Sequence, residues 1–247
     1  IMFPQAVPKK AVIDMNACIN CGGRTIGSEP KVNKKTGKPI LAPCERACPA
    51  DAINRSLPLD PDGTIKEIEV GTIITATGYK VMGKENFKEM APESPNVMTA
   101  LQLKRLISAT GPTGGKLLRP SDNEKPKTLT FVSCVGSRDK NFHTYCSRFC
   151  CMYMIKQARL LKEKYPDLTI NMHFIDIRTA GKDYDEYYTG ARDMGINIFK
   201  GKVGGLDMLP DDKLRVNAYD MESGENIEYS SDLVILSTAV EMSDGTT

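Results

Sequence analysis

The stretch whose reading decides the fold runs Phe131-Val132-Ser133-Cys134-Val135-Gly136-Ser137-Arg138-Asp139, followed by Tyr145-Cys146-Ser147-Arg148-Phe149-Cys150-Cys151-Met152-Tyr153. Thr128 to Ser133 reads as a buried strand and residues from about Tyr145 to Lys164 as a helix, stopped near Pro166. In a dinucleotide-binding unit, the loop between such a strand and helix is the Gly-rich phosphate turn. Here it carries Cys134 and a single glycine, with Cys146, Cys150 and Cys151 at the start of the helix. The i, i+4 spacing predicts Cys146 and Cys150 on one helix face, with Cys151 turned about 100° away. All three therefore converge only at an irregular helix end. A helix N-terminus favours negative charge, which suits thiolates and an anionic metal cluster. The plainer reading, buried apolar cysteines, is less economical for four around one turn.

Outward from this unit, the pattern alternates between strand and helix. Ile65 to Val70 alternates like a strand, and Thr72 to Thr77 reads as a buried β-branched strand ending at Gly78. Thr99 is placed to cap a helix with Leu103, Leu106 and Ile107 on one face, stopped by Gly111-Pro112. Leu168 to Ile175 and Ile196 to Phe199 read as strands. Between them, Tyr184, Tyr187, Tyr188, Ala191 and Met194 lie at helical spacing before Gly195 and read as a half-buried helix face. Leu214 to Tyr219 and Asn226 to Tyr229 predict a hairpin, and Leu233 to Ser237 a last buried strand. This order is that of an α/β nucleotide-domain layout.

Residues 1–60 are different: loop-rich, with seven prolines and a second cysteine group, Cys18, Cys21, Cys44 and Cys48. Cys18-Ile19-Asn20-Cys21 puts two thiolates on one tight turn. Cys44-Glu45-Arg46-Ala47-Cys48-Pro49 with Ala52-Ile53 matches the second half of a bacterial ferredoxin pattern, which points to a [4Fe–4S] cluster. A Cys₄ zinc site is the competing reading. In two-cluster ferredoxins the fourth Cys of each run ligates the other cluster, so Cys48 has two possible destinations. The polar, basic stretch from Gly22 to Pro43 reads as a solvated loop between ligands.

Composition narrows the classes. Among 247 residues, 33 are basic and 31 acidic, 26% are charged and 40% hydrophobic, as in ordinary soluble proteins. A net charge of +2 gives no reason to expect a nucleic-acid partner, and no apolar run reaches the ~20 residues of a transmembrane helix. The start has no signal-peptide pattern and no initiator Met, and so reads as the middle of a longer polypeptide or as a trimmed chain. The eight cysteines in two groups of four favour cytosolic cluster or metal ligation over a disulfide framework.

Cys134 to Asp139, Tyr145 to Tyr153, Lys156-Gln157-Ala158 and Asp176-Ile177-Arg178 together resemble the A subunit of heterodisulfide reductase, an iron–sulfur flavoprotein. So do Ala76-Thr77-Gly78-Tyr79, Ser108 to Gly114 and Arg119-Pro120-Ser121-Asp122. The resemblance covers nearly the whole chain. It implies part of a thioredoxin-reductase-like core, a flavoprotein with two dinucleotide-binding domains. Residues 1–57 would be the end of a ferredoxin-like insert, 58–120 the C-terminal part of the FAD domain, and 121–236 a former pyridine-nucleotide domain in which a second [4Fe–4S] cluster replaces the nucleotide. Residues 237–247 would return to the FAD domain. It further implies cluster ligation by Cys134, Cys146, Cys150 and Cys151, and FAD contacts from Ala76, Thr77, Gly78, Tyr79, Thr99, Gly111 and Thr113. Lys156 would stand as the catalytic residue near the flavin N5.

The function so implied is electron relay between FAD and two [4Fe–4S] clusters in a cytoplasmic complex, with flavin-based bifurcation among its activities. The implied partners are the other subunits of the complex, including an electron-input hydrogenase or formate dehydrogenase, and ferredoxin. The chain departs from the pattern in two ways: it has no G-x-G-x-x-G for the FAD pyrophosphate, and its helix after Thr99 carries Gln102 and Lys104 where the family tends to be acidic. A quinone-linked relative without bifurcation and a non-catalytic Cys₄ scaffold are the alternatives.

Overall fold

The computed structural model describes residues 31–50, 52–53 and 69–244, together with two short strands, β1 (Met2–Phe3) and β2 (Lys10–Ala11), paired antiparallel. Cys18, Cys21 and Ile65 to Ile68 of the expected strand lie outside the described residues. The chain divides into two compact units, Ile1–Ile74 and Thr75–Thr247.

In the first unit, Pro43 opens a short helix, α1 (Pro43–Ala47), as its preset φ and missing N–H allow. The buried Glu45 side chain turns back to accept a hydrogen bond from the Ala42 N–H at 2.7 Å. Cys44 is exposed on α1, and Cys48 follows it, its Sγ accepting from the Ala52 N–H at 3.3 Å. Between Val32 and Pro39, which form an isolated antiparallel bridge, the basic loop is exposed, as its charge predicts.

The second unit is built on a five-stranded parallel sheet: β4 (Val97–Thr99), β5 (Thr128–Val135), β6 (Thr169–Phe174), β7 (Asn197–Lys200) and β11 (Leu233–Thr238), in the order β4-β11-β5-β6-β7. Helices α2 (Ala100–Leu106), α3 (Cys150–Lys164) and α4 (Tyr184–Asp193) supply the crossovers, so the chain is α/β with a parallel sheet, as expected. Alternate residues of the central strands serve two cores. Leu129, Phe131, Leu233 and Ile235 pack with Leu103, Met154, Ile155, Ala158 and Ala191 of the helices. Val132, Val234 and Leu236 pack on the opposite side with Phe87, Met90, Leu214 and Val216. Burial on both faces explains why β5 and β11 read as continuous apolar runs.

The second core is closed by an antiparallel sheet of β8 (Val203–Met208), β9 (Leu214–Asp220) and β10 (Glu225–Ser231). A short pair, β3 (Tyr79–Val81) with β12 (Val240–Met242), completes the unit. The hairpin of β9 and β10 and the Thr99 cap of α2 match the sequence reading; Thr99 Oγ1 accepts from the Gln102 N–H while Gln102 Oε1 accepts from the Thr99 N–H. Thr72 to Thr77 do not. They form no regular strand, and Ile73 and Ile74 are 81% and 88% exposed, because no described strand lies beside them to bond their backbone. Among the described residues, no helix is long and apolar enough to cross a membrane.

Where β10 lies against the parallel sheet, a polar chain runs through the interior. His173 Nε2 meets the Tyr229 hydroxyl at 2.7 Å, that hydroxyl meets Thr130 Oγ1 at 3.3 Å, and Thr130 donates to Ser231 Oγ at 2.9 Å. His173 is 1% exposed and stacked between Phe199 and Tyr229, so burial pushes its pKa down to about 4. The neutral ring is thus the form that folds. Its contribution is complete above the unfolded value near 6.5, falls as pH drops toward 4, and by then costs on the order of 3 kcal/mol. Urea midpoints at pH 7.5 and 5.0 should therefore differ more in the native chain than in His173→Phe; parallel losses would remove His173 as the cause.

Candidate cofactor site

In the parallel sheet, β11 enters between β4 and β5 after β6 and β7 have been laid down on the far side of β5. Strand order thus reverses between β11 and β5, and open α/β sheets bind their ligands at the carboxyl ends of such a pair. There the pairing is irregular. Leu236 lies opposite Val132, but Thr238 lies opposite Val135, so β5 carries one extra residue. The bulge sets Cys134 at φ 57°, outside the extended conformation of the strand.

The loop that follows is tied down by its backbone. Arg138 N–H donates to Tyr145 O, Asp139 N–H to His143 O, and His143 N–H to Gly136 O, at 2.9, 2.9 and 3.1 Å. The Ser137 and Ser147 hydroxyls meet at 2.9 Å, the Tyr145 hydroxyl donates to Val240 O at 2.7 Å, and His143 Nε2 lies 2.8 Å from Glu241 Oε1. His143 is thereby a loop anchor. These bonds carry Cys146 back beside Cys134. Helix α3 begins only at Cys150, so the expected placing of Cys146 and Cys150 on one helix face is corrected: Cys146 sits on the loop, where its Sγ accepts from the Arg148 N–H at 3.3 Å. Arg148, at φ 68°, makes the turn that separates loop from helix.

The four cysteines share one neighbourhood. Cys134 is within electrostatic reach of Cys146, Cys150 and Cys151, and Cys151 of Cys146 and Cys150. Burial pushes the thiols of Cys134, Cys150 and Cys151 up; Arg138 pulls Cys134 back down. Arg138 is itself paired with Asp176, whose second oxygen lies 3.4 Å from Arg178 Nε and whose carbonyl stands 4.0 Å from Cys151 Sγ. Among the described residues, no group of three or more Cys, His, Asp or Glu stands close enough to hold a single metal ion. A mononuclear site needs every sulfur within about 2.3 Å of one centre. A four-iron cluster gives each thiolate its own iron and accepts a wider ring of soft donors, so this donor set fits such a group.

One helix turn from Cys150, Tyr153 turns its ring to a cavity of about 220 Å³. Its walls include Tyr79, Leu101, Phe149, Leu160 and Val240, with Lys104, Lys156, Gln157 and Thr238 as polar members. Tyr79, Phe149 and Tyr153 form an aromatic row with ring centroids 5.3 and 5.7 Å apart. Tyr153 lies against Cys150 and Ser237, and burial, then the Cys150 charge, raises its phenol well above the usual range. Lys156 is exposed at the rim and also lines a shallower depression with Lys182 and Tyr184.

Of the flavin contacts expected from the sequence, the cavity includes Tyr79 and Lys156. Ala76, Thr77 and Gly78 precede β3 and are exposed. Thr99 is committed to its cap, and the Thr113 hydroxyl to the carbonyls of Leu106 and Lys116 at 2.9 and 2.6 Å. At Gly111 a Cβ would stand 2.2 Å from Arg105 O, so this glycine allows a tight helix exit. None of Thr99, Gly111 and Thr113 lines the cavity. Sequence reasoning misses Thr238 and finds Tyr153 and Gln157 only within motifs. Gln157 does leave a signal: it is a polar residue on the apolar face shared by Met154, Ile155, Ala158 and Leu161.

An α/β protein with a parallel sheet and a cysteine-bearing loop at the carboxyl end of its central strand is the class that fold and site define. Comparison with known proteins narrows it. The chain is 59% identical to a protein of Archaeoglobus profundus described as like the A subunit of heterodisulfide reductase, over all of this chain and 38% of that protein. It is 39% identical to the A subunit of the H(2):CoB-CoM heterodisulfide,ferredoxin reductase of Methanothermobacter marburgensis, over 99% of this chain and 34% of that one. It is 38% identical to the A subunit of the ferredoxin/F(420)H(2)-dependent CoB-CoM heterodisulfide reductase of Methanosarcina acetivorans, over 97% and 27%. No family model matches. Among solved structures, a thioredoxin reductase from T. acidophilum aligns with 66% of this chain and 42% of its own, at 11% identity and a TM-score of 0.34. The chain belongs to the family of heterodisulfide reductase A subunits, and it spans about a third of the length of these relatives.

The loop geometry makes a local prediction. At Gly136, φ is 74° and a Cβ would meet the Phe87 ring at 2.6 Å. Gly136→Ala should cost about 1–3 kcal/mol by guanidinium unfolding, and Gly204→Ala, where a Cβ would meet Asn217 O at an ordinary 3.7 Å and φ is not left-handed, far less.

Proposed function

We propose that this chain is the cluster-bearing and flavin-facing part of an electron-transferring oxidoreductase subunit. Cys134, Cys146, Cys150 and Cys151 would hold a [4Fe–4S] cluster, and the cavity beside them the ring of FAD. Cys44 and Cys48, with Cys18 and Cys21 from outside the described residues, would hold a second cluster. The observation that carries this reading is that one helix, α3, starts with two of the four gathered cysteines and lines the adjoining cavity with Tyr153, Lys156 and Gln157.

The bound groups would supply one- and two-electron chemistry, and the chain's own work is to position and shield them. The Cys134 bulge and the anchored loop hold the thiols in place before metal arrives. Arg138 offsets the negative charge of the thiolates. Lys156 lies five residues past Cys151, about 7–8 Å along α3, and its ammonium at the rim favours added negative charge on a ring bound there. The apolar walls keep water from that ring. The names of the relatives support a place within a larger complex that exchanges electrons with ferredoxin, a hydrogen- or F(420)H(2)-oxidising partner and a disulfide substrate. Bifurcation is the finer possibility within this reading, and a cytoplasmic location accords with it.

Anaerobic purification of the intact native polypeptide with iron, sulfide, zinc and flavin assays tests the proposal. About four irons should be lost in Cys134→Ser or Cys146→Ser while the cluster of the first unit persists. Lys156→Met should lower the flavin midpoint potential by on the order of 30 mV. Stoichiometric zinc in place of iron, or absence of flavin, would overturn it.

A further inference from the structure

Two residues of the cavity wall each carry a polar atom that has no hydrogen-bond partner among the described residues. Gln157 is 6% exposed, and among the described residues its Oε1 has no hydrogen-bond partner; Thr238 is 1% exposed, and its Oγ1 has none there either. Both residues line the cavity. The orientation of the Gln157 amide is set, because its Nε2 donates to Ala100 O at 3.1 Å and the opposite assignment would bring two acceptors together. Oε1 is therefore an acceptor in want of a donor, in a place where burial without one is costly. The Thr238 hydroxyl can donate, and so can the Lys156 ammonium at the rim.

We propose that Gln157 and Thr238 read the polar edge of a cyclic imide bound in this cavity, Gln157 Oε1 accepting from its N–H and Thr238 donating to a flanking carbonyl. The proposal rests on the flavin reading and identifies which end of the ring enters: the pyrimidine edge, where N3–H lies between two carbonyls. One acceptor and two donors on the protein are the complement of one donor and two acceptors on the ligand. Leu101, Phe149 and Leu160 leave apolar surface for the faces of a flat ring. A quinone, which offers acceptors alone, would leave Gln157 Oε1 unpaired, so the chemistry of the wall separates the two cofactor classes.

The experiment uses the intact native polypeptide stripped of flavin and reloaded with FAD or N3-methyl FAD, binding being read by quenching of flavin fluorescence. The wild type should hold FAD at least about tenfold more tightly than the N3-methyl analogue. Gln157→Ala should bring the ratio close to one, chiefly by weakening FAD, whereas Thr238→Val should weaken both ligands alike. The wild-type comparison needs no substitution, so a variant that fails to fold leaves the test intact. Equal binding of the two ligands would overturn the edge assignment and leave the flavin reading standing; binding of neither would overturn both.

Discussion

The site depends on the pairing of β5 with β11. Because β11 is the last strand of the sheet and still lies at its centre, its carboxyl end opens a crevice against a strand laid down about a hundred residues earlier. In nucleotide-binding proteins a glycine turn fills that crevice with backbone N–H groups aimed at phosphate. Here a bulge fills it with a thiol, and the loop beyond returns a second thiol to the first. The same two strands face apolar cores on both sides, so the crevice is fixed by buried, packed elements.

Helix α3 joins the two halves of the site. Its first turn carries Cys150, Cys151 and Tyr153, and its second Lys156 and Gln157. A rigid rod with a rise of ~1.5 Å per residue fixes the separation between thiols and cavity better than two loops would. Met154, Ile155, Ala158 and Leu161 embed α3 in the core, which keeps the rod from rotating. Arg159 steadies α4 alongside, its guanidinium over the Tyr187 ring at 4.0 Å and bonded to Tyr187 O.

Much of this is legible in the sequence alone. The apolar runs of β5, β6 and β11, the Thr99 cap and the Tyr184 helix are local patterns, and local patterns survive in a single sequence. The grouping of Cys134, Cys146, Cys150 and Cys151 follows from the strand–loop–helix order. Other features are not legible. Strand β8 contains Gly204 and Gly205, which carry no strand signal; the strand is held by pairing with β9, with Gly204 at an irregularity in the ladder. The sequence pattern starts α3 five residues too early, because Tyr145 to Phe149 have acceptable helical residues but are claimed by bonds to β12 and to the loop. Thr72 to Thr77 have the composition of a buried strand without a described neighbour to bury them. The unpaired oxygens of Gln157 and Thr238 depend on what stands opposite them in space, which spacing along the chain does not encode.

The single extra residue in β5 has one more consequence. Side chains along a strand alternate between its two faces, so register is a matter of parity. Removing any one residue between Val132 and Val135 would restore regular pairing with β11 while moving the cysteine to the other side of the strand or out of the chain. A sequence could then keep Cys146, Cys150 and Cys151, and every motif around them, and still lack a fourth thiol beside them. What gathers the four thiols is therefore a count as much as a set of residues, and inspection of the cysteines alone would overlook it.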